Sequence, residues 1–131
     1  MAVRVWAVVE PPSPNAGVPG VRVIKWTGLL NGDSGEPYLA PQYSGKVVQI
    51  TGTAGVGGVC IIEGSLEPGT PIYGPLNDPQ GVAISFDATE IGANDFNQIL
   101  EDCYQIRPRV TAGDGATSLT VYLMINTTAR R

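Results

Sequence analysis

The stretch TGTAGVGGVCIIEGS, Thr51 to Ser65, decides how the whole chain is read. Four glycines fall between Gly52 and Gly58, and an apolar run follows them. A glycine-rich loop cradles phosphate when its backbone N–H groups converge on the anion and the helix behind it adds its positive N-terminal end. Here the glycines lead into Val59, Cys60, Ile61 and Ile62, a short β-branched run closed by Gly64, which is strand chemistry rather than helix chemistry. No Lys-Ser or Lys-Thr follows to reach phosphates or magnesium, and the Gly-x-Gly-x-x-Gly spacing of dinucleotide sites is missing. The stretch is therefore read as two strands, VVQITGT and VCIIEGS, forming a hairpin whose glycines take the positive-φ turn positions.

The same grammar extends along the chain. VRVWAVVE (Val3 to Glu10) and VRVIKW (Val21 to Trp26) read as strands, the first stopped by Pro11-Pro12. Further strands are expected at Val82–Asp87, in YQIRPRV and in SLTVYLMIN, with a short one at PIY. SLTVYLMIN puts Leu119, Val121, Leu123 and Ile125 on one face and Thr120, Tyr122 and Met124 on the other. Pro108, inside a strand-like run, marks an edge strand or a bulge. Residues 10–20 form a proline-rich arm or loop, and residues 27–45 a long loop. EIGANDFNQILEDC is the one helix candidate, with Phe96, Ile99, Leu100 and Cys103 at spacings of three and four and Asn94 or Asp95 as N-cap. The sum is one all-β domain over residues 1–131, an antiparallel β-sandwich of about eight strands, read as a jelly roll, with at most one short helix.

Composition narrows the function. Charged residues are 15% of the chain, below the globular norm of about 25%, so Thr, Ser, Asn, Gln and backbone make up much of the surface. No apolar run reaches the length of a membrane span, and MAVRVWAVVEPP lacks the length and cleavage site of a signal peptide, so a soluble protein without membrane contacts is expected. Cys60 and Cys103 allow one bridge; without a secretory signal they are expected as two free, partly buried thiols. Between Val47 and Ile106 there is no Lys or Arg, while eight acidic residues fall there, among them Glu63, Glu67, Asp78, Glu101 and Asp102. This segregation either orients the protein on another subunit or a charged scaffold, or is a set of acidic turns. In both cases it argues against nucleic-acid binding.

The chain has no histidine, which removes Ser-His and Cys-His nucleophile pairs and the commonest transition-metal ligand. Asp33 with Glu36, and Glu63 with Glu67, are the carboxylate pairs near enough for acid–base work, but both lie in turn-rich sequence where solvated acids are expected. NGDSGE (Asn31 to Glu36) resembles only the beginning of a calcium loop and lacks the terminal bidentate Glu. No enzyme, cofactor or metal is expected. Trp6, Trp26, Tyr38, Tyr43 and Tyr73 either form a stacking platform for sugar or pack in the core and between subunits.

From Gly57 to Arg131 the motifs GGVCIIEGSLEPG, LNDPQGVAISF and FNQILEDCYQIRPRVTAGDGATSLTVYLMI resemble those of small structural proteins of tailed bacteriophages, including jelly-roll cement, or decoration, proteins. The resemblance implies a non-enzymatic protein, made in the host cytoplasm, that sits on the capsid exterior. It would bind and stabilise assembled major capsid protein, as a dimer or trimer. Trp6, Trp26, Tyr38, Tyr43, Glu63, Glu67 and Asp78 are the expected partner-binding residues. A tail- or fibre-associated module binding carbohydrate or another receptor is the alternative.

Overall fold

The computed structural model of the chain describes residues 1–9, 21–40 and 45–126. The strands, in chain order, are β1 (Val3–Arg4), β2 (Trp6–Val8), β3 (Val21–Leu29), β4 (Ser34–Gly35), β5 (Tyr38–Leu39), β6 (Gly45–Thr53), β7 (Val59–Ser65), β8 (Gly74–Pro75) and β9 (Ser85–Phe86). A helix, α1 (Ala88–Gly92), follows, then β10 (Phe96–Gln98), β11 (Gln105–Ala112) and β12 (Ser118–Asn126). They form two sheets. One has the order β10-β6-β12-β3-β2; the other runs β1-β4-β11-β7-β8, with β5 also on β11 and β9 also on β7. All pairings are antiparallel except β1 with β4. The antiparallel sandwich read from the sequence is therefore the fold, with a single short helix among the described residues.

Period-two burial explains the layers. In β12, Leu119, Val121, Leu123 and Ile125 are buried while Met124 is exposed. With Ile24, Trp26, Val48 and Ile50 they make one inner face; Cys60, Ile62, Phe86, Ile106 and Val110 belong to the same buried cluster from the other sheet.

The strands read as a hairpin are in different sheets: β6 pairs with β10 and β12, and β7 with β8, β9 and β11. Periodicity says which side chains face the core but not which sheet a strand joins, and the glycine-rich link carries the chain across the sandwich. Thr117 Oγ1 donates to Ala54 O at 2.7 Å and Val56 N to Asp114 Oδ2 at 3.0 Å, tying this link to the β11–β12 turn. Gly55, at φ 68°, is obligatory there, since a Cβ would lie 2.1 Å from Asp114 Oδ1.

The helix also moves. It is capped by Asp87, whose carboxylate accepts from Glu90 N while Glu90 accepts from Asp87 N, a complete capping box. Asn94 takes φ 54°, and Phe96–Gln98 is a strand on β6 instead of the predicted first helical turn. Backbone pairing with an otherwise open edge outweighed the weak helical spacing. The segment 27–45, expected as a loop, holds the end of β3 and the short strands β4 and β5. Pro108 lies inside a paired strand, not at an edge. Val110 N bonds to Asp33 O, so the nitrogen of Pro108 points the same way, toward β4, where the proline Cδ packs against Gly35. The proline-rich arm, residues 10–20, lies outside the described residues.

Candidate interaction surface

The acidic candidates are mostly committed to the fold. Asp33 is buried and accepts from Ala2 N and Arg4 Nε at 2.8 Å and from Leu30 N at 3.0 Å, clamping the N-terminal strand to the turn before β4. Burial opposes its ionisation, but the bonds from Leu30, Arg4 and Ala2 outweigh that and hold its carboxyl below the ordinary value. Glu63 is also buried, correcting its reading as a partner contact. Its Oε1 accepts from Arg107 Nε at 2.8 Å and Arg109 Nε at 3.1 Å. The register puts Arg107 opposite Glu63 and Arg109 opposite Ile61, so both arginines share its outer face. The Arg107 guanidinium in turn lies 3.6 Å from the Tyr73 ring centre. Asp78 organises a turn, its Oδ1 accepting from Gln80 N and Val82 N.

Among the described residues, two of the candidate rings lie in the core. Trp26 is buried, with Nε1 donating to Glu36 O at 2.8 Å, and Tyr38 is buried edge-on against half-buried Trp6, their ring centres 4.8 Å apart. Both sit where alternation points inward, so Trp26 and Tyr38 are core residues and not exposed contacts. Tyr43 lies outside the described residues. Cys60 and Cys103 are free and buried, and burial pushes the Cys60 thiol up to about 12.

Glu67 belongs to a different arrangement. The end of β7, β8 and residues 101–103 enclose a cleft of about 450 Å³. Its shape follows from residues 99–104, which carry the chain from β10 to β11. Ile99 N bonds to Lys46 O, Leu100 N to Asn77 O and Tyr104 N to Ser65 O, fastening this segment across the end of the sandwich. Leu76 and Cys103 are buried at the cleft, and Gly64 must stay bare, since a Cβ there would lie 2.7 Å from Cys103 Sγ. Leu66 and Ile72 stand at the mouth, 75% and 80% exposed.

Three carboxylates surround this apolar lining. Glu67 is exposed and its Oε1 accepts from Gly69 N. Asn77 donates to both oxygens of Glu101, from its backbone N at 2.7 Å and from Nδ2 at 2.5 Å. Partial burial works against the Glu101 charge, yet those bonds and the nearby Lys46 ammonium leave its carboxyl below the ordinary range. Asp102, two-thirds exposed, accepts from Lys46 Nζ at 2.6 Å. Sequence reasoning found Glu67 and missed Lys46, Glu101, Asp102, Leu66 and Ile72 as its companions. The base-free stretch containing LEDC was the one visible signal. The arrangement suits a cationic side chain with an aliphatic stem.

The architecture has a known counterpart. It is similar to the crystal structure of the SPBc2 prophage-derived protein YomS, with a TM-score of 0.58 and 12% sequence identity over 83% of this chain and 96% of that one. At that identity the likeness is one of fold. No family model and no curated protein matches the sequence.

A smaller apolar site lies on the outer face of the five-stranded sheet. Val23, Val47, Phe96, Tyr122 and Met124 line a depression of about 220 Å³, with Phe96 62% exposed.

Proposed function

We propose that the chain is a non-enzymatic structural protein of a bacteriophage particle that binds assembled major capsid protein on the shell exterior and stabilises it, as cement proteins do. One observation carries the reading: the fold spends its candidate acids Asp33 and Glu63 and its aromatics Trp26 and Tyr38 internally, and leaves an acid-rimmed apolar cleft facing outward. A cleft of that kind suits a partner's basic surface. The fold shared with a prophage-derived protein supports a phage origin. Glu67, Asp102, Leu66 and Ile72 are the contact residues in this reading, and an oligomer is its working form. A glycan-binding tail or fibre module has less support, because two of the rings that motivated it, Trp26 and Tyr38, are buried.

Mass analysis of purified particles tests this. The expected result is a 13.7 kDa component present in many copies in tail-free shells. Its restriction to tails overturns the capsid reading, and its absence from particles overturns a structural role.

A further inference from the structure

The outer face of the five-stranded sheet is apolar at its centre and open to solvent there, with Phe96 62% and Met124 37% exposed. We propose that this face pairs with the same face of a second copy of the chain, making a two-fold dimer in which Phe96 of each copy lies over Lys25 of the other. The pairing gives the oligomer of the capsid reading a face and a symmetry. Only the dimer's role on a shell rests on that reading; the pairing itself is a property of the free protein.

Strand register lays the face out in rows. Phe96 is paired with Gln49, Gln49 with Tyr122 and Tyr122 with Lys25, so these four cross the sheet in one line. Gln98, Val47, Met124 and Val23 form the next line by the same pairings. A two-fold axis nearly parallel to the strands, passing between β6 and β12, sets β10 over β3 and β6 over β12. Val47 then meets Met124, Gln49 meets Tyr122, and Phe96 meets Lys25. Sheets stacked with their strands nearly aligned are the ordinary sandwich arrangement, and an ammonium over a ring is attracted to it.

Charge and size select a second copy as the occupant. The chain carries a net charge of −4, so most approaches of two copies set acid against acid. The outward positions of β3, β6, β10 and β12 hold no carboxylate and one cation, Lys25, which has no ion pair among the described residues. This face can therefore meet itself without repulsion, and the partner's Phe96 ring offers the cation a contact. Strands β3, β6 and β12 are nine residues long, and β2 and β10 three. At ~3.4 Å per residue and ~4.8 Å between strands they span roughly 500 Å². Two such faces bury about 1,000 Å², which reaches the lower limit for a specific interface.

Sedimentation equilibrium of the full chain tests this. The expected mass is twice 13.7 kDa, falling toward the single-chain value on dilution. M124E, which sets carboxylates into the apolar row, should raise the dissociation constant about tenfold or more. K25E and F96K should each weaken pairing, the first by removing the cation and the second by opposing two lysines. K25E/F96K should restore it through a Lys–Glu contact at the same place. The near-ultraviolet signal of buried Trp26 should stay unchanged in all four variants, showing that the fold is intact. A monomer at every concentration overturns the proposal, and one whose face responds to added capsid shells assigns the face to the capsid instead. A trimer, or a dimer indifferent to M124E, overturns it as well. If K25E/F96K pairs no better than its parents, the placement of Phe96 over Lys25 is wrong. None of these outcomes bears on whether the chain is found on particles.

Discussion

Lys46 Nζ lies 2.6 Å from Asp102 Oδ1, yet the lysine side chain is fully buried and the aspartate side chain is 67% exposed. The pair thus joins the interior of the sandwich to the rim of the cleft. The methylenes of Lys46 fill core volume beside Val48, and its charge reaches out at the end of the sheet.

That division predicts the response to substitution. Lys46→Met retains the volume and removes the buried charge, so unfolding free energy should change by no more than about 1 kcal/mol. Lys46→Ala opens a cavity and should cost roughly 2–4 kcal/mol. Urea unfolding of both variants gives the comparison; equal losses would show that charge, not packing, is the stabilising part.

Gly35 has no room for a methyl group. An added Cβ would lie 2.6 Å from Trp26 Cδ1 and Nε1 and from Pro108 Cδ, all in the packed interior. Gly35→Ala should therefore cost about 1–3 kcal/mol and alter the near-ultraviolet signal of Trp26. Gly92→Ala, in open space at the end of α1, should be neutral or gain up to ~1 kcal/mol. A Gly35→Ala protein as stable as the parent would refute the tight contact.

Glu63→Gln keeps the shape and removes the charge shared by two arginines. Arg107 and Arg109 retain 22% and 43% side-chain exposure, so water recovers part of the loss and the cost should be about 1–2 kcal/mol. A double-mutant cycle with Arg107→Ala should yield a coupling energy below that of a sealed ion pair. Additive effects would mean that the network contributes nothing.

Acid should unfold the protein through Asp33 and Glu101. Both have folded pKa values below their ordinary 3.8 and 4.5, so the folded state binds protons less readily than the unfolded one. Their stabilisation is fully present above those ordinary values and is lost as pH falls through the lower, folded ones. Melting temperature should hold steady from neutral pH to about 5 and then drop. In Asp33→Asn the protein should be less stable at neutral pH and lose less on acidification. An unchanged acid slope would remove Asp33 from this role.

Some of this was legible in particular residues. The alternation of SLTVYLMIN specified β12 and its buried face, and the β-branched run after Gly58 excluded a phosphate loop. The capping box of Asp87 and Glu90 was present too, two turns upstream of the spacing that drew attention. Glu63 and Asp33 looked like surface acids because their partners, Arg107, Arg109 and Arg4, stand 44, 46 and 29 residues away. Trp26 and Tyr38 looked equally suited to a platform and to a core, since an aromatic ring has the same composition in either place.

The sequence by itself determined the strand character, the inward face of each long strand, the lack of histidine chemistry and the base-free middle of the chain. These depend on local sterics, on a two-residue period and on residue identity, all of which are written in order along the chain. Only the tertiary structure decided that β6 and β7 part into different sheets, that Glu63 is covered by two arginines, and that Glu67, Glu101 and Asp102 share one rim. Those outcomes arise where strands far apart in sequence compete for partners, and the winner is the arrangement that buries every apolar face at once while giving each buried charge a donor.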